Sequence, residues 1–211
     1  MCGIAGQVSL NNHSIPRLSS GLRAMSRLIA HRGPDGLGQW QSDSGQVGLV
    51  HRRLSIIDLS ESAAQPMQAV NDTVLTYNGE IYNYPELRSA LKHYWTFRTH
   101  SDTECILAAY DPYGDACLDH LRGMFAFSLW DQKRKRLFCA RDRFGIKPFY
   151  YAVVEGVVYF ASEAKALLPF LPSISTNDAA LAEYLTFQYT IGEKTLFEGI
   201  HQLLPGHALA V

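Results

Sequence analysis

Apolar positions fall into short strand-like runs and a few helically spaced segments. Cys2 to Ser9 reads as a strand, and Arg17 to Ala30 as a helix that must stop at Arg32-Gly33-Pro34-Asp35-Gly36, where glycine and proline forbid continuation. Val47 to Arg53 and Thr73 to Tyr77 read as strands, Pro85 to His93 and Asp102 to Tyr110 as helices, the second with Ser101 as its cap and Glu104 in its first turn. Met124 to Asp131, Arg136 to Arg141, Phe149 to Val153 and Val157 to Ala161 are rich in aromatic and β-branched residues, so the second half is largely antiparallel sheet. Helices are expected again at Ser162 to Leu168 and Asn177 to Phe187. Without regular βαβ alternation, the pattern predicts stacked antiparallel sheets covered by helices on their outer faces, an α+β fold.

Composition narrows the class. A chain of 211 residues with 47% apolar and 18% charged residues is one globular domain with a substantial core. The net charge of -1 offers no footprint for nucleic acid or an anionic membrane, and the one basic run, Lys133 to Arg136, reads as a charged hairpin connection. No secretory signal pattern and no long apolar run is present, so a cytoplasmic protein is expected. Four cysteines without CxxC spacing and eight scattered histidines predict reduced thiols and no metal.

Candidate chemistry begins at Met1-Cys2-Gly3-Ile4-Ala5-Gly6. Removal of Met1 would give Cys2 a free α-amine, a base with a reference pKa of about 7.7 to 8.0, beside its own thiol. Alternatively Cys2 is a small buried residue at the start of a strand. Tyr77-Asn78-Gly79-Glu80-Ile81-Tyr82-Asn83 reads as a tight turn after a strand. A turn that projects an amide and a glycine N–H in one direction would also hold the oxyanion formed when a thiolate attacks a carboxamide. Arginine in His51-Arg52-Arg53-Leu54-Ser55 and aspartate in Ser101-Asp102-Thr103-Glu104 could each be a surface pair or a helix cap. Together they could grip the carboxylate and ammonium of a free amino acid.

Taken in order, these motifs, with His31-Arg32-Gly33-Pro34-Asp35, Arg53 to Asp58, Ala140 to Tyr151 and Phe160 to Leu167, resemble the glutaminase domain of glutamine-hydrolysing asparagine synthetases over nearly the whole chain. The resemblance implies the N-terminal nucleophile hydrolase fold, a four-layer αββα sandwich of two antiparallel sheets, in the class II glutamine amidotransferase branch. It makes Cys2 the nucleophile, its α-amine the base, and Asn78 and Gly79 the oxyanion hole. Arg53 would hold the glutamine α-carboxylate and Glu80 with Asp102 its α-ammonium, and Leu54, Ile56, Ile57 and Ser101 are further substrate-binding positions. Proline in His31 to Asp35, where relatives carry tyrosine, resembles asparagine synthetases more than hexosamine-forming or purine-pathway enzymes.

Residues 1–200 are then the glutaminase domain, and 201–211, with Leu203-Leu204-Pro205-Gly206-His207, the start of a connection to an ATP-dependent synthetase domain. The pyrophosphate loop of that domain does not occur before Val211, so a fragment of a longer protein is expected. The expected reaction is hydrolysis of L-glutamine to glutamate and ammonia through a Cys2 thioester, with no cofactor; ATP and Mg would belong to the synthetase domain. The alternatives are a non-catalytic glutamine-binding or partner-docking module, which would follow if Met1 persisted, hydrolysis of a different amide, or ammonia supply to a different acceptor. Homodimerisation is left open.

Overall fold

The computed structural model describes residues 1–211. In chain order the elements are β1 (Gly3–Ser9), α1 (Leu18–Leu28), β2 (Gly36–Gln41), β3 (Val47–Arg53), β4 (Met67–Gln68), β5 (Thr73–Ile81), α2 (Tyr84–Leu91), α3 (Thr103–Tyr113), α4 (Cys117–His120), β6 (Gly123–Asp131), β7 (Arg136–Arg141), β8 (Tyr150–Val154), β9 (Val157–Ala161), α5 (Asp178–Phe187), β10 (His201–Gln202) and β11 (Ala208–Ala210). They form a six-stranded sheet, β10-β8-β9-β1-β3-β2, and a five-stranded sheet, β11-β7-β6-β5-β4, antiparallel throughout.

Each sheet is apolar on both faces, which is what a four-layer stack requires. Ile4, Val8, Leu49 and Phe160 of the first sheet, with Phe149 just before β8, pack against Val74, Trp130, Leu137 and Cys139 of the second. On the outer face of the first sheet, Ala5, Ala152 and Ala161 meet Met25 and Ile29 from and just after α1. On the outer face of the second, Leu75, Tyr77, Phe127 and Phe138 meet Leu87 and Leu91 of α2 and Ile106 to Tyr110 of α3. Layers therefore run helix, sheet, sheet, helix, as the resemblance implied. At Gly6 the neighbouring strands β9 and β3 leave no room for a side chain: a Cβ would lie 2.4 Å from the Phe160 ring and 2.7 Å from the Gly48 carbonyl oxygen. No helix is long and apolar enough to cross a membrane, and all four cysteines are free.

Three sequence expectations need correction. The strand expected at Thr73 to Tyr77 runs on to Ile81, so Asn78-Gly79 is not a turn: the pair lies inside β5, opposite Ala126 and Phe125 of β6. The helix expected at Ser162 to Leu168 is two 3-10 turns, Ala164–Ala166 and Leu168–Phe170. Glu163 is extended, Pro169 interrupts any longer helix, and Ser162 bridges back to β1, donating its N–H to the Ile4 carbonyl at 2.9 Å and accepting the Ile4 N–H on Oγ at 3.0 Å. The cap position of α3 is Asp102 rather than Ser101, whose Oγ accepts the Thr103 N–H at 3.1 Å from one residue further back; Glu104 does stand in the first turn, where it accepts N–H groups of Arg98 and Thr99. Residues 201–211 contribute β10 to one sheet and β11 to the other.

Candidate active site

The register of β1 on β3, Gly3 opposite Arg52, sets Cys2, just before β1, beside the end of β3 at Arg53 and Leu54. Cys2 is half-buried there, its Sγ accepting the Leu54 N–H at 3.3 Å and lying 3.5 Å from the Leu54 carbonyl oxygen. From the second sheet, the last third of β5 brings Asn78, Gly79 and Glu80 to the same end of the sandwich. The N-terminus of α3 adds Ser101 and Asp102. Cys2, Arg53, Leu54, Ile56, Ile57, Asn78, Gly79, Glu80, Ser101 and Asp102 all line one cleft. Every site residue expected from the sequence thus converges, although Ile56, on the loop after β3, is 72% exposed.

Asn78 is the least accessible of the polar residues here, at 1% exposure, and its Nδ2 is buried with no hydrogen-bond partner. A buried amide donor without an acceptor is destabilising by about 1–3 kcal/mol, and such an exception calls for a ligand or a function. Gly79 lies beside it. Phe125, its partner on β6, commits both its N–H and its carbonyl to Asp142 on the far side. The N–H groups of Tyr77, Gly79 and Ile81 therefore share the opposite edge of β5. There Tyr77 donates to Gln65 Oε1 at 2.7 Å and Ile81 to Asp102 Oδ2 at 2.9 Å. The Gly79 N–H lies between them, on a stretch that β4, paired only with Leu75 and Val74, leaves uncovered. A side chain at position 79 would strike the other strand, its Cβ 2.3 Å from the Met124 carbonyl oxygen.

Charge in the cleft is tightly held. Asp102 is buried, and its Oδ2 also accepts the Tyr77 hydroxyl at 2.7 Å. Burial raises the Asp102 carboxyl above its usual value, against the Tyr77 hydroxyl and backbone N–H groups that lower it. The Cys2 thiol is likewise raised, first by burial; the Leu54 N–H, the N-terminus and Arg53 pull the other way. Arg53 donates from Nη1 to the Ser60 carbonyl at 2.9 Å and from Nη2 to the Asp58 carbonyl, so its guanidinium anchors the loop after β3 as well as facing the cleft.

Two residues without a role in the sequence reading belong to the site. Arg32 donates from Nε to the Cys2 carbonyl at 2.9 Å and from Nη1 to Glu163 at 3.0 Å, while Glu163 also takes His31 at 2.8 Å and Lys165 at 3.0 Å. Burial pushes the Glu163 carboxyl up, but its hydrogen bonds to Lys165, Arg32 and His31 outweigh it and bring it to about 2. Lys147 also lines the cleft. Both residues stand in motifs legible in the sequence, His31 to Asp35 and Ala140 to Tyr151; only the fold shows which side chains point at Cys2.

Comparison with known proteins decides the family, because a model described as a glutamine amidotransferase domain matches residues 1–211. The chain belongs to this family. The domain is 40% identical over 216 residues to asparagine synthetase [glutamine-hydrolyzing] 1 of Bacillus subtilis, a match covering 100% of this chain and 33% of the relative. It is 39% identical over 218 residues to amidase chry2 of Gibberella zeae, covering 99% and 32%. The chain spans about a third of the length of these curated relatives. A solved structure of the allosteric regulatory enzyme of purine biosynthesis superposes with a TM-score of 0.70 over 99% of this chain and 46% of that one; at 18% identity it supports the fold alone.

Proposed function

We propose that the domain hydrolyses L-glutamine to glutamate and ammonia through a thioester on Cys2. The observation that carries this reading is the unpartnered Nδ2 of Asn78, buried in the same cleft as the Cys2 thiol. Attack of the thiolate on the side-chain amide turns its carbonyl oxygen into an oxyanion, and the Asn78 Nδ2–H and Gly79 N–H are the donors that receive it. The Cys2 α-amine takes the thiol proton and returns it to the departing nitrogen; ammonia leaves, and water then releases glutamate. This base exists only after Met1 is removed, since until then the Cys2 nitrogen is an amide.

Arg53 uses two of its five N–H donors on the 58–60 loop, leaving three for the substrate α-carboxylate. Glu80 and Asp102 hold the α-ammonium, with Leu54, Ile56, Ile57 and Ser101 closing around the side chain. No cofactor enters these steps. For the ammonia acceptor the curated relatives, about three times the length of this chain, point to residues outside this sequence. The Bacillus subtilis relative favours aspartate activated by an ATP-dependent domain, and the 39% identity to a protein named an amidase favours a different acceptor as the second reading.

The test is glutamate and ammonia production by protein whose intact mass shows Met1 removed. Equal release of both without ATP or aspartate is expected, with Cys2→Ala inactive and its circular dichroism unchanged. Comparable glutamate production by that variant would overturn the assignment.

A further inference from the structure

Lys147 lies in the loop between β7 and β8, and the backbone fixes its place. The fully buried Asp142 carboxylate accepts the N–H groups of Phe144, Ile146, Lys147 and Phe125 at 3.0 to 3.1 Å. Arg141 donates to the carbonyls of Lys147 and Gly145, both at 2.8 Å. Gly145 sits at φ +64, in a left-handed conformation that suits glycine. A loop tied at so many points leaves the Lys147 side chain little choice of direction.

That side chain is a buried cation. Lys147 is 5% exposed, its Nζ lies 3.2 Å from Met1 Sδ, and it takes part in none of the six ion pairs of the molecule. The surrounding charges are largely committed elsewhere. Arg32 is paired with Glu163 and the Cys2 carbonyl, and Arg53 is bound to the 58–60 loop. Asp102 is occupied by Tyr77 and Ile81, and Asp142 by four backbone N–H groups. Glu80 is the remaining carboxylate, and the proposed function assigns it to the substrate ammonium. Burial, and next Arg32, lower the Lys147 ammonium from its usual value, against Asp142, Cys2 and Glu80. A buried positive charge with no ion-pair partner thus stands against the residue bonded to the Cys2 nitrogen.

We infer that Lys147 is a positioning residue for the nucleophile: its ammonium disfavours a second positive charge on the Cys2 α-amine and so holds that amine in the form able to take the thiol proton. The inference rests on the proposed function, in which Met1 is removed. Of two neighbouring amines the one with the lower reference value gives up its proton first. At about 7.7 to 8.0 against about 10.4, that is the α-amine, so Lys147 stays charged while the base becomes free. The same charge favours the thiolate once formed.

The experiment uses mass-verified protein beginning at Cys2 and follows kcat/KM for glutamine from pH 5.5 to 9 in wild type, Lys147→Met and Lys147→Arg. Loss of the charge should move the acid limb of Lys147→Met upward by about half to one pH unit, so that its deficit is roughly three- to ten-fold at pH 6 and shrinks as pH rises. Lys147→Arg should keep the wild-type limb. A Lys147→Met limb unchanged in position, with the rate lowered equally at all pH values, would make Lys147 a packing residue and overturn the inference. If Lys147→Met does not fold, titration of 13C-labelled Cys2 in wild type decides: an α-amine below the ordinary range supports it, and one within or above that range refutes it. Wild-type protein inactive at every pH would instead sink the proposed function itself.

Discussion

At the scale of single residues, the two proposed oxyanion donors and the proposed carboxylate ligand should fail in different ways. Asn78→Ala removes a donor used only when the carbonyl oxygen becomes charged, so kcat should fall by roughly a hundred- to a thousand-fold with a smaller change in KM. Arg53→Ala removes a contact of equal charge in ground and transition states and should mainly raise KM. The exchange of these phenotypes in steady-state kinetics would refute both roles. Arg53→Ala should also loosen the 58–60 loop, seen as faster amide exchange there, because the guanidinium ties down its carbonyls. Side chains announced by motif, Cys2, Asn78 and Asp102 among them, were legible in the sequence. The committed state of Arg53 was not, since hydrogen bonds to backbone carbonyls leave no mark in residue type.

The elements carry a further prediction, centred on β5. Gly79 reads in sequence as half of a turn, yet it continues the strand because β6 supplies a partner as far as Gly123. What specifies glycine is the Met124 carbonyl oxygen, 2.3 Å from where a Cβ would stand. Gly79→Ala should therefore push β5 from β6, lowering the thermal midpoint and activity together. Asn78→Ala should lower activity without lowering the midpoint, since it removes a buried donor that has no partner, so differential scanning fluorimetry beside the kinetics distinguishes them; an unshifted midpoint in Gly79→Ala would contradict the packing described. Most long strands and helices were visible from apolar periodicity. β2, with two glycines and half-exposed alternation, and the short β4, β10 and β11 were not, because edge strands of two to six residues depend on their neighbours rather than on their own composition.

For the whole molecule, stability should respond to acid through groups buried between the sheets. His51 is fully buried, its Nδ1 3.2 Å from Thr76 Oγ1 across the two sheets, and burial, then Arg53, pushes it down to about 3. The unfolded chain protonates this imidazole near 6.5, so its contribution is complete above that value and is lost as pH falls toward 3, at no more than about 1.4 kcal/mol per pH unit. Glu163 acts lower, its contribution present above about 4.5 and lost as pH falls toward 2. Urea midpoints at pH 7 and 5.5 should therefore differ in wild type and much less in His51→Gln; equal differences would show that His51 is not the group responsible. The last strands have another consequence. β10 and β11 are the outermost strands of the two sheets, lying on β8 and β7. Without them the apolar rims Tyr150–Val154 and Arg136–Arg141 would present unpaired backbone to any neighbouring molecule. A chain cut after Ile200 should thus be limited first by self-association, detectable as concentration-dependent light scattering, because its final eleven residues act as a stopper against sheet-to-sheet polymerisation.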